Sequence, residues 1–229
     1  MKNWEIKYSF AFVLLLFTLQ MQAQINLKVG YTGSYAEMEI ADQIFDRINA
    51  NSPDRTKDLG NIRIRHGMEL GLRYTIGVFA IDAGVSSMTG STDGENLTLS
   101  TGVIGNAMYR SSLTNYFVGL ENQFGFFGYG GNIGYLNLKY KTDINGGSDL
   151  TTIYNERILA SKFYLNLEAK GDGIAFAIRP YVMVPWEPYN LEAVESNYNE
   201  NITMPSSNYS QESMIFGISV LFFNGPQKK

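Results

Sequence analysis

The chain offers little for covalent chemistry: one histidine, His66, and no cysteine. A hydrolase would need His66 beside a hydroxyl, with a carboxylate to orient the imidazole. Taking Ile76–Gly77 as a two-residue hairpin turn sets Thr75 opposite Val78 and brings His66 opposite Ser87, with no third, orienting group evident beyond Glu37 within reach on the first strand. That dyad is one reading. The simpler one makes His66 an interfacial polar residue and Ser87 an ordinary strand-end serine. One histidine and no thiol exclude a histidine-rich or thiolate metal site, and the acidic residues show no EF-hand spacing. The glycine-rich FGFFGYGGNIG lacks the Lys-Ser/Thr ending of a phosphate loop. No cofactor is expected.

The more informative charges recur at every second position. Residues 62–75, IRIRHGMELGLRYT, set Ile62, Ile64, Met68, Leu70, Leu72 and Tyr74 against Arg63, Arg65, Glu69 and Arg73. Such alternation is a half-buried strand. The question is which face is the buried one.

Composition bounds the answer. In 229 residues, hydrophobic residues make up 45%, aromatics 14% and charged residues only 17%, with Tyr 15 and Phe 14. That is a strand-forming composition in a chain the size of one all-β domain. A formal net charge of −4 gives no general attraction to nucleic acid. The N-terminus carries Lys2 and Lys7, then the apolar run FAFVLLLFTL at 10–19, then Ala23 as a residue before a cut. This is the layout of a secretory leader, and the run is shorter than the roughly 20 residues of a membrane-spanning helix. Residues 1–23 are therefore expected to be a signal peptide, with one β domain over 24–229.

Eight segments of alternating polarity follow, at 25–35, 62–75, 78–88, 111–122, 126–141, 157–170, 174–186 and 212–223. Most exceed the five or six residues typical of a globular strand and match the roughly 9–11 of a tilted bilayer crossing. The connections alternate strictly. Long links at 36–61, 89–110, 142–156 and 187–211 take turns with short ones near 76–77, 123–125 and 171–173. A Greek-key sandwich has no reason to gather every long loop at one end. The fold class expected is an all-β, eight-stranded, antiparallel up-and-down transmembrane β-barrel, closed because lipid leaves no unpaired backbone group satisfied.

In such a barrel the charged face is the inner one. The expected interior network comprises Arg63, Arg65, Glu69 and Arg73, Asp82, Glu121, Lys162, Glu168 and Lys170, and Arg179. Buried charges are tolerable only when paired, and eight strands leave little room, so these are read as a plug. A narrow ion path is the alternative. Outward positions such as Phe163, Leu165, Phe176, Ile178, Phe216 and Ile218 suit lipid, and Tyr74, Phe79, Phe127, Trp186 and Phe222 suit interfacial girdles. Two features fit poorly. Pro180 lacks the ladder N–H and predicts a bulge or bend. Leu136, Leu138 and Tyr140 fall on the inner side, as if the fifth strand lost its phase or ran beyond the membrane.

With its exported start, eight strands and aromatic-rich last strand ESMIFGISVLFF, the chain resembles the small eight-stranded outer-membrane barrels of the OmpA-transmembrane and OmpX type, over residues 24–226. The tail NGPQKK departs from their terminal aromatic. The resemblance is of pattern and carries no site residue across. It implies a monomeric barrel of the Gram-negative cell envelope, in contact with outer-membrane lipid and lipopolysaccharide. Similar proteins are structural elements, adhesins or accessory subunits; others are porin-like or hydrolyse lipid.

The long loops are where function is expected. Residues 36–53 place Ile40, Ile44, Phe45 and Ile48 at helical spacing, ended by Asn51-Ser52-Pro53. This predicts a short amphipathic helix that caps the barrel mouth or docks a partner. Residues 187–211 hold Glu187, Glu192, Glu195 and Glu200 with no Lys or Arg, alongside Asn, Ser and Tyr suited to a glycan or protein ligand. The expected function is a structural or interaction protein working through its loops, with the rival readings of lipid hydrolase and narrow channel.

Overall fold

The computed structural model describes residues 23–98, 104–144, 150–171, 173–196 and 209–224. The expected leader lies outside them except for Ala23, which opens the first strand. Strands β1 (Ala23–Tyr35), β2 (Ile64–Ile76), β3 (Phe79–Thr98), β4 (Ile104–Phe124), β5 (Phe127–Ile144), β6 (Thr151–Lys170), β7 (Ile174–Pro185) and β10 (Ile215–Asn224) form a closed barrel. Every neighbouring pair is antiparallel, and β1 meets β10 from Lys28↔Phe223 to Tyr35↔Phe216. At the long-loop end lie helix α1 (Glu39–Ala50), the two-residue pair β8 (Tyr189–Asn190) and β9 (Ser210–Gln211), and the single turn α2 (Glu192–Ser196).

The short turns set the register. Ile76 faces Phe79 across Gly77–Val78, and Phe124 faces Phe127 across Gly125–Phe126. Gly77 at φ +62 and Gly125 at φ +64 occupy the first central position, where a type II′ hairpin turn demands a positive φ. The first turn therefore sits one residue later than Ile76–Gly77, and the pairing inferred from that earlier turn is corrected. Asp82 faces Arg73 and not Gly71, and His66 faces Thr89 and not Ser87.

The outer wall near this turn end is apolar. Ile25, Leu27, Leu70, Leu72, Val118, Leu120, Ile133, Phe163, Leu165, Ile174 and Phe222 are all exposed. A continuous apolar belt of this kind around a closed sheet is a lipid-facing surface. Trp186 sits at its rim, its Nε1 donating to Ser161 Oγ at 2.9 Å.

The strands outrun the belt. β3, β4 and β6 have 20, 21 and 20 residues, about twice what a tilted crossing needs. Much of residues 89–110 and 142–156, expected as loop, is thus strand, forming two tall hairpins at the loop end. The β4–β5 register runs unbroken from Ala107↔Ile144 to Phe124↔Phe127. So β5 keeps its phase through Leu136, Leu138 and Tyr140, which are truly inside and buried. Pro180 causes no bulge either. The β6–β7 ladder lapses between Tyr164↔Tyr181 and Leu167↔Ile178 with the register unchanged, because the missing N–H simply leaves a gap.

Helix α1 spans 39–50 and buries Ala41, Ile44, Phe45 and Ile48. These pack with Leu136, Leu138, Tyr140 and Ile158 from the strands and Tyr189, Leu191 and Val194 from the following loop. An apolar core thus stoppers the loop end.

Candidate functional site

The turn-end half of the interior is a polar network with almost no solvent access. Lys28 Nζ lies 2.6 Å from Asp82 Oδ1 and 3.0 Å from Glu69 Oε1. Lys162 Nζ reaches the other Glu69 oxygen at 3.2 Å. Arg179 forks between Asp82 at 2.9 Å and Glu121 at 2.7 Å. Arg73 completes the chain, pairing with Glu121 and, at 2.7 Å, with Glu168. Asn166 donates to Glu121, Gln123 and Glu168 within 3.2 Å. Aromatic faces back the cations: Arg179 over Tyr164 and Lys162 over Tyr181, both at 4.1 Å, and Lys28 over Phe117 at 4.6 Å.

The network is electrically closed, with cations Lys28, Arg73, Lys162 and Arg179 matched by anions Glu69, Asp82, Glu121 and Glu168. Each ion contacts at least one opposite charge, the condition under which buried ions are tolerated. Glu121 is the hub, touching Arg73, Arg179, Asn166 and Tyr164. Chemically this is a plug. Its carboxylates are committed to cations.

Ten residues were expected in this interior, and two are corrected. Arg63 precedes β2 at the loop end, where its Nη2 bonds Asp42 Oδ2 of α1 at 3.1 Å and its side chain stays half exposed. Lys170 ends β6 at the turn rim and is exposed there, since a long ammonium chain at a strand end reaches water. Arg65 is inside but apart from the network. Lys28 was missed, although the alternation Asn26, Lys28, Gly30, Thr32 against Ile25, Leu27, Val29, Tyr31 carries the signal.

The His66–Ser87 dyad does not form. Ser87 Oγ shares a hydrogen bond with Thr114 Oγ1 at 3.3 Å. The His66 ring sits 5.9 Å from that of Tyr31. Glu37 accepts from Tyr35 at 2.9 Å. At the cap, burial pushes the Asp42 carboxyl up from its ordinary range against the pull of Arg63.

The outer wall of the tall hairpins carries the other notable charges. Above the belt rim, where Tyr116 faces Tyr135, the outward row of β5 reads Asn137, Lys139, Lys141. Arg110 faces Lys141 from β4, and Arg157 faces Asn137 from β6. No ion pair links Arg110, Lys139, Lys141 or Arg157 to any described residue. Asp143 closes the row at the top. The acidic loop 187–211 is the contrast, though 197–208 lie outside the described residues.

No protein-family model matches the chain, and no curated protein matches it by sequence. Among solved structures it is similar to Ail, the attachment invasion locus protein of Yersinia pestis, in complex with the heparin analogue sucrose octasulfate. The TM-score is 0.52 at 10% identity, covering 89% of this chain and 98% of Ail. Neisserial surface protein A aligns with a TM-score of 0.38 at 6% identity over 89% of this chain and 99% of that one. The fold is that of the small eight-stranded outer-membrane β-barrels.

Proposed function

We propose that this chain is a monomeric, non-enzymatic interaction protein of the Gram-negative outer membrane, exported by a leader over residues 1–23. Its working surface is the wall of the tall hairpins β3–β4 and β5–β6, presented outside the cell above a lipid belt. Its neighbours below are outer-membrane lipid and lipopolysaccharide. The ligand class is a polyanionic glycan.

One observation carries the reading: Arg110, Lys139, Lys141 and Arg157 stand together on one outward face without carboxylate partners. Four cations on a rigid sheet cannot scatter to relieve their repulsion, so a polyanion along the strip is favoured by charge and by preorganisation. That Ail was solved with a heparin analogue on the same fold accords with it. The ion-paired interior and the apolar stopper support a closed barrel over a channel, and Ser87, bonded to Thr114 rather than to His66, lends the hydrolase reading no support.

The test is binding of sucrose octasulfate to the refolded barrel in detergent, at low and high salt. Binding that weakens with salt, and falls at least about tenfold in the variant R110Q/K139Q/K141Q/R157Q, supports the strip. Absent binding, or binding indifferent to that variant, contradicts it. Planar-bilayer current or release of acyl chains from lipid would point to the channel or the hydrolase.

A further inference from the structure

Among the described residues, Arg65 is the one interior cation outside the balanced network. It is 1% exposed, lies in the apolar loop-end half of the barrel, and forms no ion pair with any described residue. Its Nε donates to Ser111 Oγ at 2.9 Å, and its Nη2 meets no acceptor among the described residues.

The surroundings share this property. Ser34 faces Arg65 across β1–β2, Gly90 faces Ser111 across β3–β4, and Ser111 faces Tyr140 across β4–β5. A Cβ on Gly90 would come within 3.3 Å of Arg65 Cγ, so the glycine is what lets the guanidinium stretch over β3 toward Ser111. On this tier the hydroxyl of Tyr140 is buried without a partner among the described residues, as is that of Tyr189 on β8 above. The candidate acids form no ion pair with Arg65, although Glu156 lies within electrostatic reach of Tyr189. Glu156 accepts from Tyr154 and from the Asn190 N–H, and Asp42 holds Arg63. Burial pushes the Tyr189 phenol up, so it keeps its proton and stays a donor.

A buried guanidinium whose Nη2 is unmet, beside hydroxyls that can each donate, is a positive charge with no anion in contact among the described residues. Water can satisfy the hydroxyls but not the charge. We propose that Arg65, with Ser111, Tyr140 and Tyr189, forms a binding site for one compact monovalent anion, a halide, beneath the cap. Because Tyr189 belongs to the segment after β7, the bound anion ties that segment to the barrel wall. The anion is thus a structural ligand that holds the cap down.

The experiment uses the full mature chain in detergent micelles. Sodium chloride is titrated against sodium gluconate, which is too bulky for the tier, at constant ionic strength, and the Arg65 side-chain Nε–Hε resonance is followed. Crystals grown in sodium bromide supply the anomalous signal. The expected result is a saturable chloride-dependent shift and a bromide peak within hydrogen-bond distance of Arg65. Ser111→Ala frees a donor that Arg65 now uses and should change the apparent affinity up to about tenfold. Arg65→Met, with folding checked by heat-modifiable migration, should abolish the bromide peak. Should that variant not fold, the Ser111→Ala titration and the wild-type crystal still decide. An unresponsive Arg65 resonance, or crystals without bromide at this tier, overturns the proposal.

Discussion

The two halves of this barrel are built on opposite polarity rules. At the turn end, β5 shows Phe127, Tyr129, Ile133 and Tyr135 to the outside and Asn132 to the inside; at the loop end it shows Lys139 and Lys141 outside and Leu136, Leu138 and Tyr140 inside. Strand β6 repeats the switch, with Phe163 and Leu165 outside and Lys162, Asn166 and Glu168 inside, then Arg157 outside and Ile158 inside. Alternation holds across the switch in both strands. What changes is the solvent beyond the wall, from hydrocarbon to water. Where lipid surrounds the wall, a polar interior held by ion pairs is tolerable. Where water does, the interior must supply an ordinary hydrophobic core.

The contrast breaks most visibly at the hub of the ionic half. Glu121→Leu leaves Arg73 and Arg179 each short of a buried anion, an expected cost of about 3–5 kcal/mol in reversible unfolding from lipid or detergent. A loss under 1 kcal/mol there would mean the network is not what fills this half. In the other half, Leu138→Ala removes packing from the apolar core, at an expected cost of about 2–4 kcal/mol, and should raise hydrogen exchange in α1. Unchanged exchange would detach the cap from that core.

The outer wall gives a matched pair. Val118→Arg puts a cation into the lipid belt, expected to cost about 2–4 kcal/mol, whereas Thr89→Arg on the outer face of the neighbouring strand β3 lies in water and should stay within about 0.5 kcal/mol. Equal penalties would erase the boundary between halves. The smallest effect belongs to the Arg63–Asp42 bridge, a partly exposed pair screened by solvent. Burial raises the Asp42 carboxyl in the folded chain despite the bridge, so the cap is most stable below the unfolded value, where Asp42 is neutral, and loses that stability as pH rises through the folded one. Asp42→Asn should flatten that pH dependence of cap exchange.

The same contrast explains what could be read in advance. Period-two alternation made the eight strands, the closed barrel and the charged interior legible, because lipid on one side forces a strict pattern. Loop-end portions of β3 and β4 were invisible. Ser87, Thr89 and Ser91 outside, with Gly90 and Thr92 inside, give a strand that has the composition of a loop. Leu136, Leu138 and Tyr140 looked out of phase because one polarity rule was applied to the whole strand. The turn slipped by one residue and the pairing by two because Ile76-Gly77-Val78 accepts a turn at either step, and only the Ile76↔Phe79 pairing decides between them. With the register went the His66–Ser87 pairing. Lys28 was legible and overlooked, while the departures of Arg63 and Lys170 depend on where strands end, which alternation does not mark.

The central claim is that one continuous strand passes from lipid into water between Tyr135 and Lys139. The chain has no cysteine, so a single one can be placed at will. Spin labels at Ile133→Cys and Lys139→Cys, in the barrel reconstituted into bilayers, report their surroundings through collision with oxygen or with a water-soluble nickel chelate. Position 133 should collide preferentially with oxygen and position 139 with the chelate. The same preference at both positions, or the reverse order, would contradict the account.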